Sequence, residues 1–349
     1  MEVISEYGNE LAKVYVAKMR EENTSDKQHL VEFVESVQPP IPREQKWVLI
    51  VSSMFGCPIK CRMCDAGGDF AGKLTSDEIL SQIDYLVRRR FPGGQVPIPK
   101  FKIQFARMGE PSLNLEVLDA MRRLPVEYEA PGLNISVSSV APKSNVARKF
   151  FEELIGVKDE LYPGGRFQLQ FSIHTTNPAG RDSLIPIGKW SFEEIAAYGK
   201  RFAQPENGDK KVTLNFAPVK GYPIDASRVR KNFDPERFMI KLTPLNPTVR
   251  SKEQDLTSTI DPEDRSTSDQ LVKAFREEGF DVVLSIGQLE ENGDHVYLDL
   301  GPSGTLATFV KYNLTKDSRS RSFALMTPFG HDLMSLEKVE AVFSRAIWN

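Results

Sequence analysis

A partial (β/α)6 barrel of the TIM type, with a short N-terminal leader and a small C-terminal α+β extension, is the fold class the sequence predicts. Three observations predict it. From Lys46 onward, apolar strand-like segments alternate with amphipathic helical ones through six steps, the pattern of a parallel sheet covered by helices. Each strand-like segment runs into a loop that carries Gly, Ser, Pro, Asn or charged residues, and in such barrels the chemistry sits at the C-terminal ends of the strands. Hydrophobic residues make up 40% of the chain and charged residues 27%, enough apolar material for one sizeable core.

In order along the chain, residues 1–45 read as a leader: a short strand or helix, then a polar helix, closed by the proline cluster "QPPIPRE". The barrel is assigned to 46–280. "KWVLIVSS" is its first strand and "TSDEILSQIDYLVRRRF" its first helix, with Thr75 and Ser76 as cap-type residues, acids in the first turn and arginines in the last. The pairs "FKIQFAR" and "NLEVLDAMRRL", "LNISVSS" and "KSNVARKFFEELI", "RFQLQFSIH" and "SFEEIAAYGKRFA" follow. "KKVTLNFAPV" leads to a short polar helix near "DASRVRKN", and "RFMIKLTPL" leads through a polar loop to "STSDQLVKAFREEG". Beyond Phe280, residues 281–349 read as the extension, with β segments "DVVLSIGQL", "HVYLDL" and "TLATFVKYNL" and a final helix "SLEKVEAVFSRAIW".

The formal net charge of -3 gives no global field that would draw the chain to nucleic acid. No apolar run has signal-peptide or membrane-span character. Three cysteines do not make a disulfide framework, and a reducing, cytoplasmic setting is expected.

All three, Cys57, Cys61 and Cys64, lie in "GCPIKCRMCD", spaced C-x3-C-x2-C. Three thiolates on one loop can hold an iron–sulfur cluster, which normally takes four; with three, one iron is left free to bind a small molecule. A structural zinc site completed by Asp65 or a histidine is the rival. Inert buried cysteines are a second, but Gly56, Pro58, Lys60 and Arg62 make this loop unlike a core strand.

C-x3-C-x2-C after the first barrel strand resembles the radical S-adenosylmethionine (radical SAM) superfamily. The resemblance implies a [4Fe-4S] cluster on Cys57, Cys61 and Cys64, with the methionine part of S-adenosylmethionine on the fourth iron. The other strand-end segments are similar to the RlmN/Cfr-like branch, adenine methyltransferases of large-subunit ribosomal RNA, over roughly Lys46 to Leu289. By that resemblance Gly109 and Glu110 in "RMGEPSLN" bind the amino group of the cofactor, and Ser138 meets its carboxylate or ribose. Ser172, Ile173 and His174 contact ribose and adenine, and Asn246 in "LTPLNP" meets the adenine. Each has a plainer alternative: an ordinary turn at Gly109, a strand-end serine bonded to local backbone, a structural histidine. Arg107 could hold a substrate carboxylate or phosphate, or be a rim arginine in an ion pair, and Lys220 could face substrate or solvent.

The sequence departs from the branch in three ways. The two further cysteines that carry the methyl group and resolve its covalent intermediate correspond here to Ile286 and Ile50, and isoleucine has no thiolate. Only 56 residues precede Cys57, too few for the branch's N-terminal RNA-binding domain, and 60 follow Leu289. The expectation is therefore direct hydrogen abstraction by a 5′-deoxyadenosyl radical from a small or medium-sized substrate in a biosynthetic pathway, with an external electron donor such as flavodoxin or ferredoxin. An RNA-modifying or RNA-binding relative, using basic runs such as "YLVRRR" and "SRVRKN", and a non-catalytic zinc-stabilised binding protein are the alternatives.

Overall fold

The computed structural model describes residues 1–20, 29–38, 41–67, 70–260 and 266–285, with the strand backbones at 296–299 and 321–324. One mixed sheet organises them. It begins with β1 (Glu2–Gly8), β2 (Ala12–Lys18) and β3 (Leu30–Ser36), an antiparallel meander that continues antiparallel onto β4 (Lys46–Val51). After a two-residue ladder of β5 (Met54–Phe55) with β6 (Gly72–Lys73), the parallel strands β7 (Lys100–Phe105), β8 (Leu133–Ser139), β9 (Phe167–Ser172), β10 (Val212–Phe216), β11 (Phe238–Leu242) and β12 (Val282–Leu284) are added in chain order. The ends of the sheet do not pair, so the barrel is open among the described residues.

The helices are α1 (Ser76–Arg90), α2 (Glu116–Glu127), α3 (Asn145–Leu161), the short α4 (Pro178–Leu184), α5 (Phe192–Phe202), α6 (Ala226–Asn232), α7 (Val249–Glu253) and α8 (Ser266–Glu277). α1 starts as expected: Thr75 and Glu78 form a capping box, and Arg88, Arg89 and Arg90 close the last turn. Ser144 and Ser191 cap α3 and α5.

Strand alternation sorts the two faces of the sheet. Trp47 and Leu49 of β4, Phe101, Ile103 and Phe105 of β7, and Phe167, Leu169 and Phe171 of β9 are buried under the helices in one continuous core. The intervening residues, among them Lys102 and Gln104 on β7 and Gln168, Gln170 and Ser172 on β9, face the concave side and are only partly covered. Tyr15, Trp47 and Arg90 converge on the carboxylate of buried Glu35, which ties the N-terminal strands to α1.

Two expectations are corrected. The leader carries no helix among its described residues. "AKVYVAK" and "LVEFVES" are rich in β-branched and aromatic residues, and once they pair at the sheet edge Tyr15 and Ala17, and Val31 and Phe33, are buried at every second position. β12, assigned to the extension, instead runs parallel beside β11 and continues the barrel sheet. Strand β13 (Val296–Asp299) forms within "HVYLDL" and pairs with β14 (Arg321–Ala324). "TLATFVKYNL", the final helix, Ile286 and the Gly287-Gln288-Leu289 segment lie outside the described residues.

Candidate active site

The site is built where β4 and β7 end. The N–H groups of Ser53 and Met54 both donate to the Met108 carbonyl, at 2.8 and 3.2 Å. Gly109 sits in that junction at φ +100°, and a Cβ there would stand 2.7 Å from Met54 Cβ and Cγ. Glycine is needed for both reasons. The cysteine loop follows, with Gly56 and Lys60 at positive φ. Between its cysteines, Ile59 and Met63 drop into a small apolar cluster with Val140, Leu184 and Leu245, against which Cys57 and Cys61 also pack.

Polar contacts hold the loop from outside. Arg62 donates through Nε to Gln254 Oε1 at 2.8 Å and through Nη1 to Ser183 Oγ at 2.9 Å. Asp65 accepts from the N–H groups of Val249 and Arg250, at 3.0 and 2.9 Å, and so caps α7. Thr248 Oγ1 donates to the Met63 carbonyl at 3.1 Å. The loop is thereby fastened to the segment after β11.

Glu110 is 4% exposed and fully engaged. Its Oε1 accepts from Ser112 N and Oγ and from Ser139 Oγ, the last at 2.6 Å, and its Oε2 accepts from Val140 N at 2.9 Å. Burial raises its pKa above the usual carboxylate value, against the pull of these donors. Ser139 is the serine of this strand that meets Glu110. Ser138 lies on the opposite face, where Gln170 Nε2 donates to it at 3.4 Å. The period-2 rule would have separated the two serines had a register been known.

Ser172 ends β9 on the concave face, Ile173 is fully buried, and the N–H groups of Ile173 and His174 donate to the Asn215 carbonyl. His174 adopts φ +65°, and its Nδ1 accepts from Ala217 N at 3.1 Å. That bond assigns the remaining proton to Nε2. Burial, and then the nearby Arg181 cation, lower its pKa to about 4, so the ring is neutral at physiological pH. Asn246 is exposed at the rim, its carbonyl accepting from Thr248 N and Ser251 Oγ. Lys220 is exposed, its N–H donating to the Thr257 carbonyl. Arg107 pairs with Glu32 of β3, and its charge also reaches Cys64.

The thiols show what group the site suits. Burial pushes the Cys57 pKa up to about 12, and the Cys61 and Cys64 thiols also rise. The three are close enough that Cys61 is raised further by Cys64, Cys57 and Glu110. Three thiolates could not persist side by side there without a cation, and a bound metal deprotonates a ligating thiol outright. In a tetrahedral zinc site, Zn–S bonds of about 2.3 Å place sulfurs about 3.8 Å apart. Asp65, the neighbouring carboxylate, is engaged at α7 and is not free to complete a zinc site. A loop that offers three thiols and no other metal ligand suits an iron–sulfur cluster, which is normally held by cysteine thiolates.

Comparison with known proteins finds no matching family model. The dual-specificity RNA methyltransferase RlmN of Wolinella succinogenes is 29% identical over 256 residues, 71% of this chain and 67% of that protein. RlmN of Marinobacter nauticus is 30% identical over 223 residues, 60% of this chain and 56% of that protein. A crystal structure of a radical SAM methyltransferase from Sphaerobacter thermophilus superposes with a TM-score of 0.62 at 20% identity, over 81% of this chain and 76% of that one, which shows the shared fold.

These relatives support the radical SAM superfamily as the family of this chain. Within it, the chain lies close to the RlmN/Cfr branch, and the superfamily's cofactors are a [4Fe-4S] cluster and S-adenosylmethionine. The chain spans about two thirds of one RlmN relative and just over half of the other. None of its described helices is long and apolar enough to cross a membrane.

Proposed function

We propose that the protein is a radical SAM enzyme that abstracts hydrogen from a small or medium-sized substrate and does not carry a methyl group on a protein sulfur. The observation that supports this is the cysteine count: all three thiols are in the cluster loop, and no cysteine remains elsewhere in the chain. Ile50, which takes the place of one branch cysteine, faces the concave side of β4 in register with Gln104.

When bound, the cluster and cofactor supply an electron and a 5′-deoxyadenosyl radical. The remaining work belongs to the chain. Cys57, Cys61 and Cys64 would hold three irons. Glu110, close enough to Cys57 and Cys61 to affect them, would receive the cofactor's amino group. Ser172–His174, with the proton of His174 on Nε2, would meet the ribose and adenine from the neighbouring strand end, and Asn246 would close the adenine side. Gly109 lets the Glu110 loop approach the cysteine loop closely. Substrate positioning at roughly 3–3.5 Å from the reacting carbon, under loops that exclude competing hydrogen donors, is the general requirement. A flavodoxin- or ferredoxin-like donor would supply the electron, in a reducing cytoplasm.

Anaerobic reconstitution with iron, sulfide, S-adenosylmethionine and dithionite tests the reading. The expected result is 5′-deoxyadenosine, with deuterium entering it from a labelled substrate; its absence from cluster-loaded protein rejects the proposal. The names of the RNA-methylating relatives favour a second reading, action on RNA. That reading predicts salt-sensitive RNA binding.

A further inference from the structure

The site described so far occupies the strand ends. Deeper in the open barrel the concave face carries charge that this site does not use. Lys102 of β7 and Lys241 of β11 both occupy inward positions, between core residues on their strands. Four strand intervals separate β7 from β11, about 19 Å on a flat sheet. Yet Lys102 Nζ reaches across to Gln168 Oε1 of β9 at 2.9 Å, and Gln168 Nε2 reaches Thr213 Oγ1 of β10, the strand beside β11, so the curl of the sheet brings the Lys102 ammonium toward Lys241. Lys210, Lys46 and Lys100 add to the positive charge around Lys102.

Among the described residues no acid answers them. Neither Lys102 nor Lys241 has an ion pair with a described residue; among those residues Lys102 Nζ donates only to Gln168 Oε1 at 2.9 Å, and Lys241 Nζ makes no hydrogen bond. Elsewhere buried Lys158 pairs with Asp209 and Asp159 and buried Lys189 with Asp182, while buried Lys46 donates to the neutral Gln38 amide. Partly covered ammonium groups without a counter-ion among the described residues are costly, and such positions concentrate where a ligand supplies the missing charge. The surrounding inward residues are neutral amides and hydroxyls: Gln168 Nε2 donates to Thr213 Oγ1, and Thr243 Oγ1 to Asn215 Oδ1. Lys241 pairs in register with Asn215, and Asn215 with Ser172, so it stands in the row of the candidate cofactor segment, with Lys102 available to the same ligand across the lumen.

We propose that the lumen of the open barrel binds a phosphorylated small molecule, its phosphate held between Lys102 and Lys241 while its other end reaches the strand ends. This rests on the hydrogen-abstraction reading for the role of the bound molecule as substrate, but not for the binding itself. Two converging cations suit a phosphate dianion, and the flanking amides can donate to its remaining oxygens.

The test uses the reconstituted full chain and inorganic pyrophosphate as probe, titrated calorimetrically. Saturable binding is expected, weakened at least tenfold by Lys102→Met and by Lys241→Met separately, and unchanged by Lys149→Met on the outer surface. Circular dichroism and cluster absorbance check that each variant is folded, and Lys102→Gln serves if the methionine variant is not. No saturable binding, or binding indifferent to both lumen lysines, overturns the proposal. So does an RNA fragment that displaces pyrophosphate and loses affinity in the same variants. Formation of 5′-deoxyadenosine without substrate is measured alongside: its presence with no pyrophosphate binding rejects the phosphate site alone, and its absence with intact binding rejects the radical reading alone.

Discussion

Lys102→Met should make the protein more stable near neutral pH, by an amount that shrinks as pH rises. Burial, followed by repulsion from Lys241, Lys210, Lys46 and Lys100, lowers the Lys102 pKa from 10.5 to about 7, and the one group that hydrogen-bonds it is the neutral Gln168 amide. A lysine whose pKa falls on folding binds its proton more tightly in the unfolded chain, so stability rises with pH between the two values. The penalty is full below about pH 7 and gone above about pH 10.5. At about 1.36 kcal/mol per pKa unit, the limiting penalty is about 4.6 kcal/mol at pH 6.5 and about 2 kcal/mol at pH 9. Water in the open lumen screens both figures, so a gain of about 1–3 kcal/mol at pH 6.5 is expected for the methionine variant, falling by about half at pH 9. Urea unfolding of cluster-free wild type and variant under reductant, at both pH values, measures it. A variant destabilised at pH 6.5, or a difference independent of pH, would refute the account of Lys102 as an uncompensated interior cation.

Three further outcomes follow from the strand-end geometry. Replacing Cys61 by alanine should abolish stable cluster loading, read as iron and sulfide per chain and as loss of the brown absorbance, while the fold persists by circular dichroism. Gly109→Ala must move Met54 or relax an unfavourable φ, which should destabilise the protein by about 1–3 kcal/mol and reduce S-adenosylmethionine binding in equilibrium titrations. Asp65→Ala removes two hydrogen bonds at the start of α7, and a loss of about 1–2 kcal/mol is expected, with faster hydrogen exchange at Val249 and Arg250 as the local readout.

The cysteine loop, Gly109 and Glu110 were legible because their chemistry is local: three thiols in one loop and a glycine before a carboxylate can be read from a short segment. What was not legible depends on register. Ser138 and Ser139 are adjacent in sequence, and only the pleat decides that Ser139 faces Glu110. Asp65 looked like a fourth metal ligand because it follows Cys64; its real partners, Val249 and Arg250, come from a helix far along the chain. Residues 12–36 suggest a helix in part because their sequence has no clean alternation, and alternate burial arises only when they pair with one another and with β4. Lys102 and Lys241 carry no motif at all. In sequence each is a polar residue between apolar ones, the ordinary pattern of a half-exposed strand, and only the curl of the sheet puts them together.

That last point bears on what the interior is for. If Lys102 and Lys241 were scaffold, replacing either by an apolar residue of similar length would leave ligand binding alone and change only stability. If they answer a phosphate, the same substitution should raise stability and destroy binding together, because a site preorganised for an anion is strained in the anion's absence. Neither measurement separates the cases alone. A stabilised variant that still binds pyrophosphate would mean that the charge is incidental, and a destabilised one that fails to bind would reflect damage to the fold. Only gain of stability with loss of binding, at the same residue, marks a charge retained for its ligand.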